Sequence, residues 1–125
     1  MFEYVTQHPF GAILLLALLL SASACVHYTV HTGALNKTDS AAYDALLIAE
    51  SAIDQARIDY AAKQLPDSTK TALDALIHAY NVAHESWLTY RGAISTNVPS
   101  DAYFSQLNKN ITDLSTAIRT FKEAQ

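Results

Sequence analysis

Histidine, cysteine and carboxylate side chains are the residues best suited to chemistry, because they bind metals and move protons near neutral pH. His27 and His31 lie four residues apart, close to Cys25, which is the single cysteine of the chain. In a helix this spacing would place both imidazoles on one face, where they could hold zinc or copper. The surrounding segment has no helical periodicity, so we predict no metal site there.

His78 and His84 form a second pair, inside a segment with strong helical periodicity. Their separation of six residues places them on different faces of a helix. The stretch that starts at His84 begins like the helix motif of zinc proteases, but Leu88 stands where the second histidine must be. A zinc-protease site is therefore rejected.

The remaining reactive residues give no stronger signal. Glu50 and Asp54 are four residues apart, and burial of such a pair would raise one pKa, but on the polar face of a helix both are solvated. No serine follows a strand-turn-helix elbow, and one cysteine cannot form the Cys-x-x-Cys-His attachment of haem. We predict a protein that is not an enzyme, with no catalytic residue, no cofactor and no metal.

Composition indicates the elements that must position these residues. A chain of 125 residues holds one domain, and three glycines and three prolines among many alanines and leucines favour helix over sheet. The net charge is −4 and lysine plus arginine total eight, which excludes nucleic acid as a partner because phosphate binding needs a basic face.

Apolar residues recur at alternating three- and four-residue intervals in three segments, as in helices with one buried face. The first helix is expected from a cap within 38–40 to about Gln64, and the second from about Asp67 to Arg91–Gly92, or one turn further if it includes Ile94. The third begins at Ser100. Its apolar positions are Phe104, Leu107, Ile111, Leu114, Ile118 and Phe121.

Short connections between three helices of about 22–26 residues predict an all-α fold, an antiparallel up-down-up three-helix bundle. The apolar stripes are narrow, so a fourth helix from a partner or a second copy could complete the bundle. The antiparallel order brings an aromatic group to one pole: Tyr43, Trp87, Tyr90, Tyr103 and Phe104.

This aromatic group has two interpretations. It can fill the core, in which case Trp87 and Phe104 are buried because they lie on the apolar stripes. It can also form a contact surface for lipid or a partner protein, for which Tyr103, Tyr43 and Tyr90 are the candidates. Tyr103 lies off its stripe and is expected to be exposed.

The N-terminal segment predicts the location of the protein. The apolar run 12–20 is followed by small residues up to Cys25, as in a secretory signal peptide that is cut between Ala24 and Cys25. The sequence Ala-Ser-Ala-Cys at 22–25 resembles the lipobox of bacterial lipoproteins. This resemblance implies a diacylglyceryl group on Cys25, and Val26 after it implies sorting to the outer membrane of a Gram-negative cell.

The expected organisation is a signal peptide over 1–24, a flexible tether over 25–38 and the bundle over 39–125. Simple secretion after cleavage at the same bond and an uncleaved anchor remain alternatives. The predicted function is that of a cell-envelope lipoprotein that faces the periplasm, anchored to the membrane by lipid, whose bundle binds an envelope protein. A secreted bundle that binds a small ligand or metal and a self-assembling structural subunit are the alternatives.

Overall fold

A computed structural model describes residues 29–125 as three helices in an up-down-up bundle. The helices are α1 (Lys37–Ala61), α2 (Lys70–Ser95) and α3 (Asp101–Glu123), with a short 3-10 turn at Asp67–Thr69 before α2. The predicted all-α fold and helix lengths are confirmed. The predicted signal peptide over 1–24, Cys25 and His27 lie outside the described residues.

Helix α1 begins earlier than its sequence predicts. Asn36 is the N-cap: its backbone is extended, and its side-chain oxygen accepts a hydrogen bond of 2.8 Å from the amide of Asp39. The prediction of a cap within 38–40 is therefore wrong. Asparagine is as good an N-cap as serine or aspartate. The carboxylate of Asp39 is not available as a cap, because it accepts hydrogen bonds from Leu35 and Trp87.

Helices α1 and α2 end in the same way, with a residue in the left-handed conformation just beyond the helix. Lys63 has φ 57° and Asn97 has φ 54°. In each case the amide of the following residue bonds back to the last turn: Gln64 to the carbonyl of Asp59 at 2.8 Å, and Val98 to that of Ala93 at 3.0 Å. Gly92 does not end α2, which runs the further turn that Ile94 allows.

The core consists of two clusters along the bundle axis. The larger cluster spans the middle and the end distant from the α1 N-terminus: Leu46, Ala49, Ile53, Ala56, Leu73, Leu76, Ala83, Leu114 and Phe121. The smaller cluster, Ala42, Tyr90 and Leu107, lies where α1 begins. Helices α2 and α3 make the most extensive contact, whereas α1 and α3 touch over a much shorter length.

The connection between α1 and α2 is held by a small hydroxyl network. Thr69 is fully buried, and its hydroxyl donates to the carbonyl of Pro66 at 2.7 Å. The Tyr60 hydroxyl lies 2.6 Å from the same Thr69 oxygen. These hydrogen bonds fix the bend after Pro66. They also replace the bonds to water that the buried hydroxyl groups give up on folding.

Candidate functional site

Residues 31–36, here called the strap, fold back against the start of α1 instead of extending away from it. The amide of His31 donates to the Ser40 hydroxyl at 3.0 Å, and the amide of Leu35 donates to Asp39 Oδ2 at 2.8 Å. The flexible tether predicted over 25–38 is therefore wrong for its last part, because polar side chains of the first turn of α1 hold its backbone.

Asp39 is the centre of the polar contacts at this end of the bundle. Its side chain is buried, at 1% exposure, and its Oδ1 accepts a 2.6 Å hydrogen bond from the indole Nε1 of Trp87. Arg91 Nε lies 3.5 Å from the same oxygen. A buried carboxylate is tolerated only with such partners, and the first turn of a helix adds a favourable dipole.

Arg91 joins the strap to α2. Its Nη2 donates to the Gly33 carbonyl at 3.3 Å, and its Cζ lies 5.1 Å from the centre of the Trp87 ring. The guanidinium thereby combines an ion pair with Asp39, a hydrogen bond to the strap and a cation–π contact. One arginine therefore ties three parts of the site together.

Aromatic rings continue from Trp87 in two directions. Tyr43 lies 5.8 Å away at a tilt of 37°, and His31 meets Tyr43 edge-on at 5.5 Å. Along α2, His84 lies 5.7 Å from Trp87 and stacks on Tyr80 at 5.9 Å. The His31 ring also contacts the carboxylate of Asp44, which fixes the start of the strap.

Between the strap and the two helices lies a cleft of about 460 Å³. Its walls combine two charged groups, the rings of a histidine, a tyrosine and a tryptophan, and the backbone of a turn: His31, Thr32, Gly33, Ala34, Asp39, Tyr43, Trp87 and Arg91. This volume is within the range of small-molecule sites. We refer to it as the strap cleft.

The structure separates the aromatic residues that the sequence places at this pole. Tyr43 lines the strap cleft and is exposed, whereas Tyr90 is buried at 4% exposure, with its hydroxyl accepting from Asn36 Nδ2 at 3.0 Å. The prediction of Tyr90 as a partner contact is therefore corrected: its side chain is part of the core. Tyr103 is exposed on α3, beside Val82, away from the strap cleft.

The predicted burial of Phe104 and Trp87 is also corrected. Phe104 is 40% exposed although it lies on the apolar stripe of α3, and Trp87 is half-buried. The short contact between α1 and α3 leaves Phe104 beside a shallow apolar groove, which it shares with Leu107 and Ile111. Trp87 is half-buried because one side of its ring faces the strap cleft.

The other residues suited to chemistry do not converge. Between residues 29 and 125, no three His, Cys, Asp or Glu side chains lie close enough to hold a metal ion. His78 and the Glu50–Asp54 pair are exposed. Burial of Tyr80, together with the charges of Glu50 and Asp54, raises the pKa of its phenol above the ordinary 10.0.

Within residues 29–125 no helix has both the length and the apolar character needed to cross a membrane. Comparisons with protein-family models, curated proteins and solved structures find no match.

The sequence does not predict that Asp39, Arg91 and the strap converge. Asp39 and Trp87 are 48 residues apart, and Arg91 reaches Gly33 across 58. No local pattern links positions so distant. The one usable signal is the antiparallel order itself, which brings the end of α2 beside the start of α1.

Proposed function

We propose that this protein is a non-enzymatic lipoprotein of a bacterial cell envelope, anchored through Cys25, whose helical bundle binds another envelope protein. The resemblance of residues 22–25 to a lipobox supports the anchor. The observation that carries the binding role is the outward face of α1, which displays aliphatic side chains opposite its buried face.

This outer face of α1 carries three exposed aliphatic residues: Leu47, Ile48 and Ile58. Ile48 is 59% exposed and Ile58 is 62% exposed. The opposite side of the same helix is buried through Leu46 and Ile53. A helix that packs on one side normally presents polar residues on the other, so exposed aliphatic residues on the outward side support a role in contact with a partner.

The charged residues on the outer face of α1 indicate what kind of partner it can bind. Asp44, Asp54 and Asp59 stand among the aliphatic residues of the outer face and outnumber the bases beside them, which are Arg57, paired with Asp54 at 3.3 Å, and Lys122 of α3, next to Leu47 and Ile48. Two copies of this face would bring like charges together. We therefore infer that the partner is an amphipathic helix whose apolar stripe is bordered by lysine or arginine.

The anchor is tested by expressing the full chain and its Cys25→Ala variant in a bacterial host. The wild-type chain should be recovered from the membrane fraction with an intact mass that begins at Cys25 and includes acyl groups, and the variant should lack them. An unmodified wild-type chain that begins at Cys25 in the soluble fraction would contradict the lipoprotein proposal and favour a secreted protein.

The partner is tested by photo-crosslinking in that host from a residue placed at position 51, which lies between the aliphatic residues of the outer face. A crosslinked segment with a basic-bordered apolar stripe is expected, and Ile48→Ser with Ile58→Ser should abolish the crosslink. Leu88→Ser is the matched control, because Leu88 is an equally exposed aliphatic residue on α2. A crosslink between two copies of this chain would instead support the self-assembling subunit.

A secreted ligand-binding bundle is the second candidate function. The specific observation in its favour is the strap cleft, whose volume and mixture of charged and aromatic residues suit a small ligand. Because the cleft and the outer face of α1 involve different residues, binding at one does not exclude binding at the other.

A further inference from the structure

The polar groups of the strap cleft are unequally engaged, and this inequality indicates what it can bind. The acceptors on Asp39 and Gly33 are already engaged: Asp39 Oδ1 by Trp87 and Arg91, Asp39 Oδ2 by the amide of Leu35, and the Gly33 carbonyl by Arg91. A ligand that offers only donors would have to compete with these internal hydrogen bonds.

Donors, by contrast, remain available in the cleft. Arg91 uses Nε and Nη2, whereas its Nη1 makes no hydrogen bond to any residue between 29 and 125, and its side chain is 34% exposed. The amides of Thr32 and Gly33 and the Tyr43 hydroxyl likewise have no hydrogen-bond partner in this part of the chain. Since the Arg91 guanidinium and the two amides can only donate, the complementary ligand carries an acceptor.

The rest of the cleft is aromatic. The indole N–H of Trp87 is held by Asp39, so the ring offers its apolar surface, and Tyr43 adds a second ring at 5.8 Å. A cleft of about 460 Å³ has room for a ring or branched apolar group as well as an acidic group. The acceptor should therefore be attached to an apolar body.

The charge of the ligand is limited by the acids nearby. Arg91 is balanced by Asp39, and the His31 imidazole is in contact with the carboxylate of Asp44. A dianion such as phosphate would be repelled by these two acids more strongly than a monoanion. A carboxylate is such a monoanion, and its oxygens can accept charge-assisted hydrogen bonds from Arg91 Nη1.

We propose that the strap cleft binds an organic carboxylate whose apolar or aromatic body packs on Trp87 and Tyr43 and whose oxygens accept from Arg91 Nη1. A free small acid and the C-terminus of a peptide share this chemistry. The site uses neither the Cys25 anchor nor the aliphatic residues of the outer face of α1. A failure to bind carboxylates would therefore leave the proposed function standing, and a failure of the proposed function would leave this site standing.

Trp87 is the one tryptophan of the chain, so its fluorescence reports directly on this cleft. The test titrates the full-length protein with N-acetylphenylalanine and with its amide, which has the same body but no charge. The acid should produce a saturable change in emission, and the amide should bind at least about tenfold more weakly, the factor that corresponds to about 1.4 kcal/mol. No saturable change with the acid, or equal affinity for both compounds, would overturn the proposal.

Arg91→Gln should remove the preference for the acid over the amide, whereas Arg57→Gln, a change at an exposed arginine of α1, should leave it intact. Because Arg91→Gln also withdraws the partner of buried Asp39, Arg91→Lys is measured alongside it: it retains the charge, and circular dichroism establishes that each variant is folded. A folded Arg91→Gln protein that keeps the full preference would overturn the role of Arg91.

The source of the carboxylate is distinguished by a third probe, an acetylated tetrapeptide ending in phenylalanine. If it binds more tightly than N-acetylphenylalanine and its C-terminal amide does not, the site takes a peptide terminus. If it binds more weakly than the single residue, the strap excludes the longer chain and the site takes a free acid.

Discussion

The two clusters of the core differ in the kind of contact that surrounds them. The larger cluster is built from aliphatic residues and Phe121, and the hydroxyl network of Tyr60 and Thr69 closes the bundle at its end. The smaller cluster contains only Ala42, Tyr90 and Leu107 in its centre, and the polar contacts of Asp39, Arg91 and the strap surround it.

This difference separates stability from recognition. Burial of aliphatic side chains is non-directional and gives about 25 cal/mol per Å² of apolar surface. A hydrogen bond formed on folding replaces bonds to water, so its net contribution to the free energy of folding is small, but its direction fixes the geometry of the groups that it joins. We therefore infer that the larger cluster supplies most of the folding free energy and that the smaller one shapes a site.

The largest effect is expected from Leu76→Ala. Leu76 is fully buried in the larger cluster, so its truncation should lower the free energy of unfolding by about 3 kcal/mol through lost burial and a residual cavity. Urea denaturation measures this loss. Leu76 lies about 16 Å along α2 from Trp87, so the native emission of Trp87 should be unchanged. A shifted native emission would mean that the two clusters are not separable.

Asp39→Asn should have a smaller effect on stability but a direct one on the site. The amide cannot accept from Trp87, Leu35 and Arg91 as the carboxylate does, and its NH₂ would face a donor. We expect a loss of about 2 kcal/mol, the scale of hydrogen bonds to a charged group, together with a shift in Trp87 emission. Increased proteolysis within residues 31–36 would show that the strap is released. Unchanged emission would contradict the central position of Asp39.

The smallest effect concerns Tyr80, which packs against the larger cluster from α2. Because burial, Glu50 and Asp54 raise the pKa of its phenol in the folded state, the folded protein holds this proton more tightly than the unfolded chain. The stabilisation is complete below pH 10.0 and is lost as the pH rises through the folded-state pKa. The unfolding free energy, measured by urea denaturation across alkaline pH, should fall less steeply in Tyr80→Phe than in the wild type. Tyr103→Phe, at an exposed position on α3, should retain the wild-type slope.

The aliphatic part of the fold was predictable from the sequence because it depends on local periodicity. Leu107, Leu114 and Phe121 recur at intervals of seven residues, and all three are buried. Phe104 lies three residues before Leu107 on the same apolar stripe but is exposed, because its burial depends on how closely α1 approaches α3, which periodicity in one helix does not encode.

The polar part was predictable only in outline. The antiparallel order correctly brings Tyr43 and Trp87 together. The choice of Asn36 over its neighbours as the cap depends on Asp39 being occupied by Trp87, which is distant in sequence. For the same reason the strap was interpreted as a tether: its hydrogen bonds are made to side chains of α1 and α2, and its own residues show no regular pattern.

The strap also determines how far the bundle can stand from whatever holds its N-terminus. With residues 31–36 bound to the helices, six peptide units separate Cys25 from the first fixed residue, His31, a reach of at most about 20 Å. If Cys25 carries the lipid, this short connection keeps the bundle near the membrane surface. The strap cleft then lies close to the lipid headgroups, and ligands would approach it from the side, along the membrane surface.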